Sequence, residues 1–134
     1  MDANNSKAIA AICQAALDKL HTDNTGILAA LIASADGFNL AAIRSDISDE
    51  RLAAMTSAMH ALGEQIVKEV DLQKCHNVMI EAAVGKVLML NIPGSKDGLI
   101  MTAVANEAMV FGSLLFACRQ CATQIGEKLA ASRL

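Results

Sequence analysis

The chain of 134 residues contains no Trp and no Tyr, three Phe and a single Pro. Charged residues are few, at 19%, and the formal net charge is −3. Each scarcity excludes something. Nucleic-acid binding needs clustered Lys and Arg to neutralise phosphates, and single-strand binding adds stacking aromatics. The sequence has neither, so no nucleic-acid partner is expected. One Pro leaves no proline-rich linker or ligand segment. The longest uncharged stretches, residues 25–35 and 108–118, fall well short of the roughly 20 apolar residues of a membrane span, so no membrane partner is expected. Met1-Asp2-Ala3-Asn4-Asn5 lacks the basic start and apolar middle of a signal peptide. Without an export signal, the four Cys are expected as reduced thiols in the cytoplasm.

What remains is apolar. Hydrophobic residues make up 54% of the chain, enough for burial to offset the entropy of ordering. The length suits one domain, 1–134. Ile9, Cys13, Ala16, Leu17 and Leu20 recur at three- and four-residue spacing, which predicts a helix over 6–21 with Ser6 as its cap. Two apolar runs around Asp36-Gly37 predict antiparallel strands over 26–34 and 39–44, because a tight hairpin turn needs positive φ. Ser48 should cap a helix over 49–70, with Asp49 and Glu50 favourably placed against its dipole. From 75 onward the period shortens. Strands are expected over 76–82, 86–92 and 98–105, with a breaker-rich loop from Pro93 to Gly98. Asn106 should cap a last helix over 107–130, whose broad apolar face runs from Phe111 to Leu129.

The middle helix carries more apolar surface than one sheet contact needs. Leu52, Met55, Met59, Leu62 and Ile66 form one stripe, and Ala54, Ala58 and Ala61 a smaller one beside it. Gly63, next to Met59 and Ile66 on the helical net, has two readings: close packing on the chain's own sheet, or close approach by a second subunit.

Candidate chemistry is thin. Cys118-Arg119-Gln120-Cys121 has a two-residue spacer, but both Cys fall in mid-helix, away from the N-terminal dipole that activates redox thiols. A structural zinc site wants four ligands, and only Cys75-His76 pairs elsewhere. The Cys are therefore read as buried, inert thiols. His21, His60 and His76 share no metal-ligand spacing, and no nucleophile–base pair is visible. Gly94-Ser95-Lys96-Asp97-Gly98 lacks the spacing of a phosphate loop. Arg44, Arg51, Arg119 and Arg133 each lie on or beside a regular element, where solvated charges are ordinary. No catalytic residue, no metal site and no cofactor is expected, and the chain is read as a non-enzyme.

The run from Gly26 through Asp36-Gly37-Phe38 to Ala41 resembles the opening hairpin of roadblock-type domains, the family of dynein light chains and bacterial GTPase regulators. Gly85-Lys86-Val87-Leu88-Met89-Leu90-Asn91-Ile92 is similar to that family's fourth strand. Ala105-Asn106-Glu107-Ala108-Met109-Val110-Phe111 resembles the entry to its last helix. The resemblance spans nearly the whole chain. It implies an α+β fold of order α-β-β-α-β-β-β-α, a five-stranded antiparallel sheet with one helix on one face and two on the other, as in profilin and longin folds. It also implies a non-catalytic, dimeric regulatory adaptor that binds a small Ras-like GTPase or a related signalling or motor complex. A light-chain-like scaffold subunit is the alternative, and a small-ligand sensor a third.

In that topology the last three strands form a meander and the fifth lies beside the first, leaving the second and third as edges. Edges expose unpaired backbone groups. Arg44 and Asp46 guard the second strand. The third has Glu81 as its only charge, so a homodimer is expected through His76, Asn77, Val78, Met79 and Ile80, joined by Ala58 and Leu62 of the middle helix. Met55, Met59 and Leu62 are the expected docking residues for a GTPase, because Met adapts to irregular partner surfaces. Burial of the same stripe in the core is the competing expectation.

Overall fold

The computed structural model describes residues 3–43, 49–96 and 98–134. Helix α1 spans Ala3–Asp23, strands β1 and β2 span Ile27–Ala33 and Asn39–Ile43, and helix α2 spans Asp49–Glu69. Strands β3, β4 and β5 follow at Asn77–Ala82, Gly85–Asn91 and Ile100–Asn106, and helix α3 spans Phe111–Ala131. All neighbours pair antiparallel in the order β2-β1-β5-β4-β3. The fifth strand lies beside the first, and β2 and β3 are the edges.

Helices α1 and α3 lie against each other on one face of the sheet, and α2 lies on the other. Period-2 alternation divides the central strands between the two layers. Ala30, Ile32, Leu88, Leu90, Met101 and Ala103 face α1 and α3, where Leu17, Leu114, Ile125 and Leu129 meet them, fully or nearly fully buried. Each of the Leu, Ile and Met side chains stabilises the fold by roughly 1.5–3 kcal/mol. The other layer is thin: Leu31 and Ala33 meet Ala53 of α2. A buried hydrogen bond of 2.7 Å between the hydroxyls of Thr56 and Thr102 ties α2 to the central strand.

The β1–β2 turn forms at Asp36-Gly37, with Gly37 at φ +91°. Ser34 N–H donates to Phe38 O, Gly37 N–H donates to Ser34 O, and the Ser34 hydroxyl accepts from Phe38 N–H. Elsewhere the boundaries shift. Helix α1 begins at Ala3, so Ser6 lies inside it rather than capping it. Helix α3 begins at Phe111, not at 107. Asn106 bonds locally instead: its side-chain oxygen accepts from Met109 N–H at 3.0 Å, closing a turn before the helix. A short Asx side chain favours that turn, and Val110, with extended backbone, precedes the helix as an N-cap that makes no side-chain hydrogen bond. Ser48, Arg44 and Asp46 lie outside the described residues.

Candidate interaction surface

Helix α2 rests on the sheet by its small side chains. Ala53 and Thr56 are its buried residues, and His60, Gly63 and Val67 continue the same three–four spacing, half-buried. A Cβ on Gly63 would stand 3.2 Å from Cys75 Sγ and 3.2 Å from Val78 Cγ2. Of the two readings of Gly63, close packing on the chain's own sheet is the one realised. Most of the large apolar residues point away from the sheet, although Leu52 packs against the Leu31, Ala33 and Ala53 cluster. Met55, Leu62 and Ile66 are 50%, 53% and 57% exposed, and Leu52 and Met59 are half-buried. Core burial therefore fails as an account of Met55 and Leu62, because the face that meets the sheet is made of Ala53, Thr56, His60, Gly63 and Val67, with Leu52 at its margin. Ala58 is exposed as well.

The surface continues onto β3. Val78 pairs with Met89 and Ile80 with Val87, and the contact between Gly63 and Val78 places that row on the α2 side. Ile80 is 37% exposed. Met79 pairs with Leu88, which faces the α1–α3 layer. Met79 itself is 42% exposed, since α3 packs over β4 and β5. His76 is exposed and Asn77 half-buried at the head of the strand. Val70, Leu72 and Val84, not singled out from the sequence, extend the exposed apolar area along the helix end, the connector and the β3–β4 turn. Val70 could have been found by continuing the spacing of Leu62 and Ile66 by one more turn.

The two sheet edges differ in a way that sequence reasoning missed. On β2, the Gln14 amide of α1 binds both backbone groups of Ala42: Nε2 donates to Ala42 O at 2.9 Å, and Oε1 accepts from Ala42 N–H at 3.2 Å. A side chain thus occupies the place of a sixth strand. On β3 the side-chain bond to the strand is a long one from Cys75 Sγ to Asn77 O, 3.5 Å, at its first residue. The least covered edge and the outward stripe of α2 are adjacent. Between them, on α2, His60 Nε2 is shielded from solvent without a hydrogen-bond partner, 3.7 Å from Glu64 Oε1.

Chemistry elsewhere is quiet. Cys13, Cys118 and Cys121 are buried free thiols between α1 and α3. Burial pushes Cys13 and Cys118 up to about 12, the neighbouring Cys121 adding to both, and Cys121 itself up to about 11. They stay protonated at neutral pH, and a protonated thiol is neither nucleophile nor metal ligand. His21 Nδ1 lies 3.0 Å from Ile27 O, far along the chain from His60 and His76. Among the described residues no group of three or more His, Cys, Asp or Glu could hold a metal ion.

The fold is thus of the roadblock/profilin-like class, with α2 and β3 presenting its main apolar surface. Comparison with known proteins agrees. The Roadblock/LC7 domain model matches residues 13–105, and the chain belongs to the Roadblock/LC7 family, a family of regulatory domains. A comparison with curated protein sequences gives no match. MglB of Myxococcus xanthus has a similar structure, with 14% identity, TM-score 0.77, and coverage of 98% of this chain and 93% of that one. A structure described as MglB with tetrameric arrangement has 15% identity and TM-score 0.80, covering 95% and 93%. A Roadblock/LC7 domain from Streptomyces avermitilis has 14% identity and TM-score 0.78, covering 87% and 97%. No helix among the described residues is long and apolar enough to cross a membrane.

Proposed function

We propose that the protein is a cytoplasmic, non-catalytic regulatory adaptor that pairs with a second copy of itself and docks a small Ras-like GTPase. The observation that carries this reading is the inversion of α2. Its small residues face the sheet, while Met55, Leu62 and Ile66 face outward. Such an arrangement leaves apolar area unburied in the single chain, and exposed apolar patches mark association surfaces. An MglB structure described as tetrameric lends support to self-association of the fold.

Pairing uses the edge that Gln14 does not cover. Two β3 strands run antiparallel about a two-fold axis, through His76, Asn77, Val78, Met79 and Ile80, an isologous contact that closes on itself. The helices beside them then meet through Ala58 and Leu62. The GTPase docks toward the N-terminal part of α2, on Met55 and Met59, with Leu62 at the border shared by the two contacts.

The test is a titration of the purified chain with a small Ras-like GTPase from the same organism, loaded in turn with GDP and a GTP analogue. Met55→Glu is expected to weaken binding at least tenfold, the order of one buried apolar anchor, while leaving the oligomeric mass unchanged. Equal affinity for the exchanged and unmodified chains rejects the docking surface.

A further inference from the structure

We propose that a cleft on the α3 side of the sheet binds a small ligand carrying a phosphate group. The cleft has a volume of about 520 Å³, within the range of roughly 300–1,000 Å³ typical of small-ligand sites. It opens between α3, the end of β4 and the connector from α2 to β3. Lys74 and His76 reach it from the connector and Arg119 from α3. Leu90 and Ala122, both buried, form its apolar floor, and Asn91 and Thr123 supply polar walls.

Among the described residues no carboxylate lines the cleft. Nor does any of its three basic side chains make an ion pair or side-chain hydrogen bond within the described protein. In a chain whose net charge is −3, two permanent cations and a His gathered without a counter-charge form a locally positive pocket. The three basic residues are exposed at the rim and Leu90 and Ala122 are buried at the floor, so an anion meets the charges at the mouth of the cleft.

The backbone holds these groups in place. Asp71, at φ 56°, is the left-handed residue that ends α2, its N–H donating to Lys68 O, and Gln73 follows at φ 75°. Between them Leu72 N–H donates to Val67 O, and Lys74 N–H donates to Leu72 O. Cys75 is buried, so Lys74 and His76 stand on either side of an anchored residue. Asn91 Nδ2 donates to Cys75 O at 3.5 Å, linking the connector to β4.

Charge selects the ligand class. Two fixed positive charges with a third donor from His76 match a dianion better than a single carboxylate, and Arg and Lys are common phosphate-binding side chains. The apolar floor fits an organic body attached to that phosphate. Phenyl phosphate is the probe of choice, with benzoate as a monoanionic control carrying the same aromatic ring.

The experiment is an NMR titration of the full chain, read at the amides of Lys74, His76, Asn91 and Thr123. Phenyl phosphate should give saturable shifts there, with benzoate binding roughly tenfold more weakly. Lys74→Gln and Arg119→Gln should each weaken phenyl phosphate roughly tenfold, the worth of one charge-assisted hydrogen bond. Both side chains lie outside β3, so the mass by light scattering should not move. Absence of saturable shifts up to about 10 mM phenyl phosphate, a ligand too weak to matter at that level, overturns the proposal. So does undiminished binding to the doubly substituted chain.

Discussion

Two glycines of α3 are predicted to respond to alanine with opposite signs. In an unconstrained helix interior, Gly→Ala stabilises by up to about 1 kcal/mol, because Gly has more backbone freedom to lose. At Gly126 the added Cβ would collide with the carbonyl oxygen of Pro93 and approach its carbonyl carbon at 3.3 Å. The obstacle is backbone, so no rotamer change relieves it. Either the loop after β4 lifts or α3 shifts, and both disturb buried neighbours: Ile92 and Leu99 hold that loop through Ile92 N–H to Leu99 O at 2.9 Å. Overpacking of this kind costs about 1–3 kcal/mol or somewhat more. After subtracting the helix-propensity gain, Gly126→Ala should lose about 1–2 kcal/mol, or roughly 4–8 °C in Tm for a chain of this length. Gly112 is the internal control. It lies in the first turn of the same helix, and a Cβ added there would meet nothing within 4 Å, so Gly112→Ala should be neutral to stabilising by a few tenths of a kcal/mol. Urea midpoints for both, at one protein concentration, make the comparison. A Gly126→Ala chain as stable as the unmodified one would refute the packing of α3 on the Pro93 loop.

Other expectations follow from single contacts. Gln14→Ala removes both bonds to the β2 edge and should lower stability by about 1–2 kcal/mol; an unchanged urea midpoint would show that Ala42 is held otherwise. Thr56→Val and Thr102→Val should each cost about 1–2 kcal/mol by stranding the other hydroxyl in the core, whereas the double replacement should cost less than the sum of the two. A strictly additive cycle would contradict the buried pair. The raised thiol pKa values set a pH dependence. Cys13, Cys118 and Cys121 are held protonated in the fold to about pH 11–12, while the unfolded chain releases those protons near 9. Their contribution is fully present below pH 9 and is lost as pH rises toward 11–12, at up to about 1.4 kcal/mol per pH unit for each thiol. Cys118→Ala should flatten that decline in a pH series of urea midpoints, and an equal slope would count against it.

The parts of the fold that were legible in the sequence rest on local chemistry. Asp36-Gly37 marked the hairpin because a tight turn demands positive φ, and Gly37 has it. The apolar run of β5 marked a central strand because both of its faces are covered. Where two local options competed, the sequence could not decide. Asn106 can cap a helix or close an Asx turn, and it does the latter. The edge protection of β2 was invisible for a different reason: Gln14 and Ala42 are far apart in the chain and meet only after α1 docks. Helix α2 shows the limit of reading stripes. Periodicity located the apolar face containing Met55, Leu62 and Ile66, but not which way it points. Its direction is set by the close approach of Gly63 to Cys75 and Val78, which only small side chains allow.

The central claim is that the open edge of β3, with Ala58 and Leu62 of α2 beside it, is covered by a second copy of the chain. Light scattering of the unmodified protein at micromolar concentration tests it most directly. The account predicts a mass twice the 14.0 kDa of one chain, reduced to one chain by Met79→Pro, which removes a backbone donor that faces away from β4. A clean 14.0 kDa monomer for the unmodified protein would contradict it.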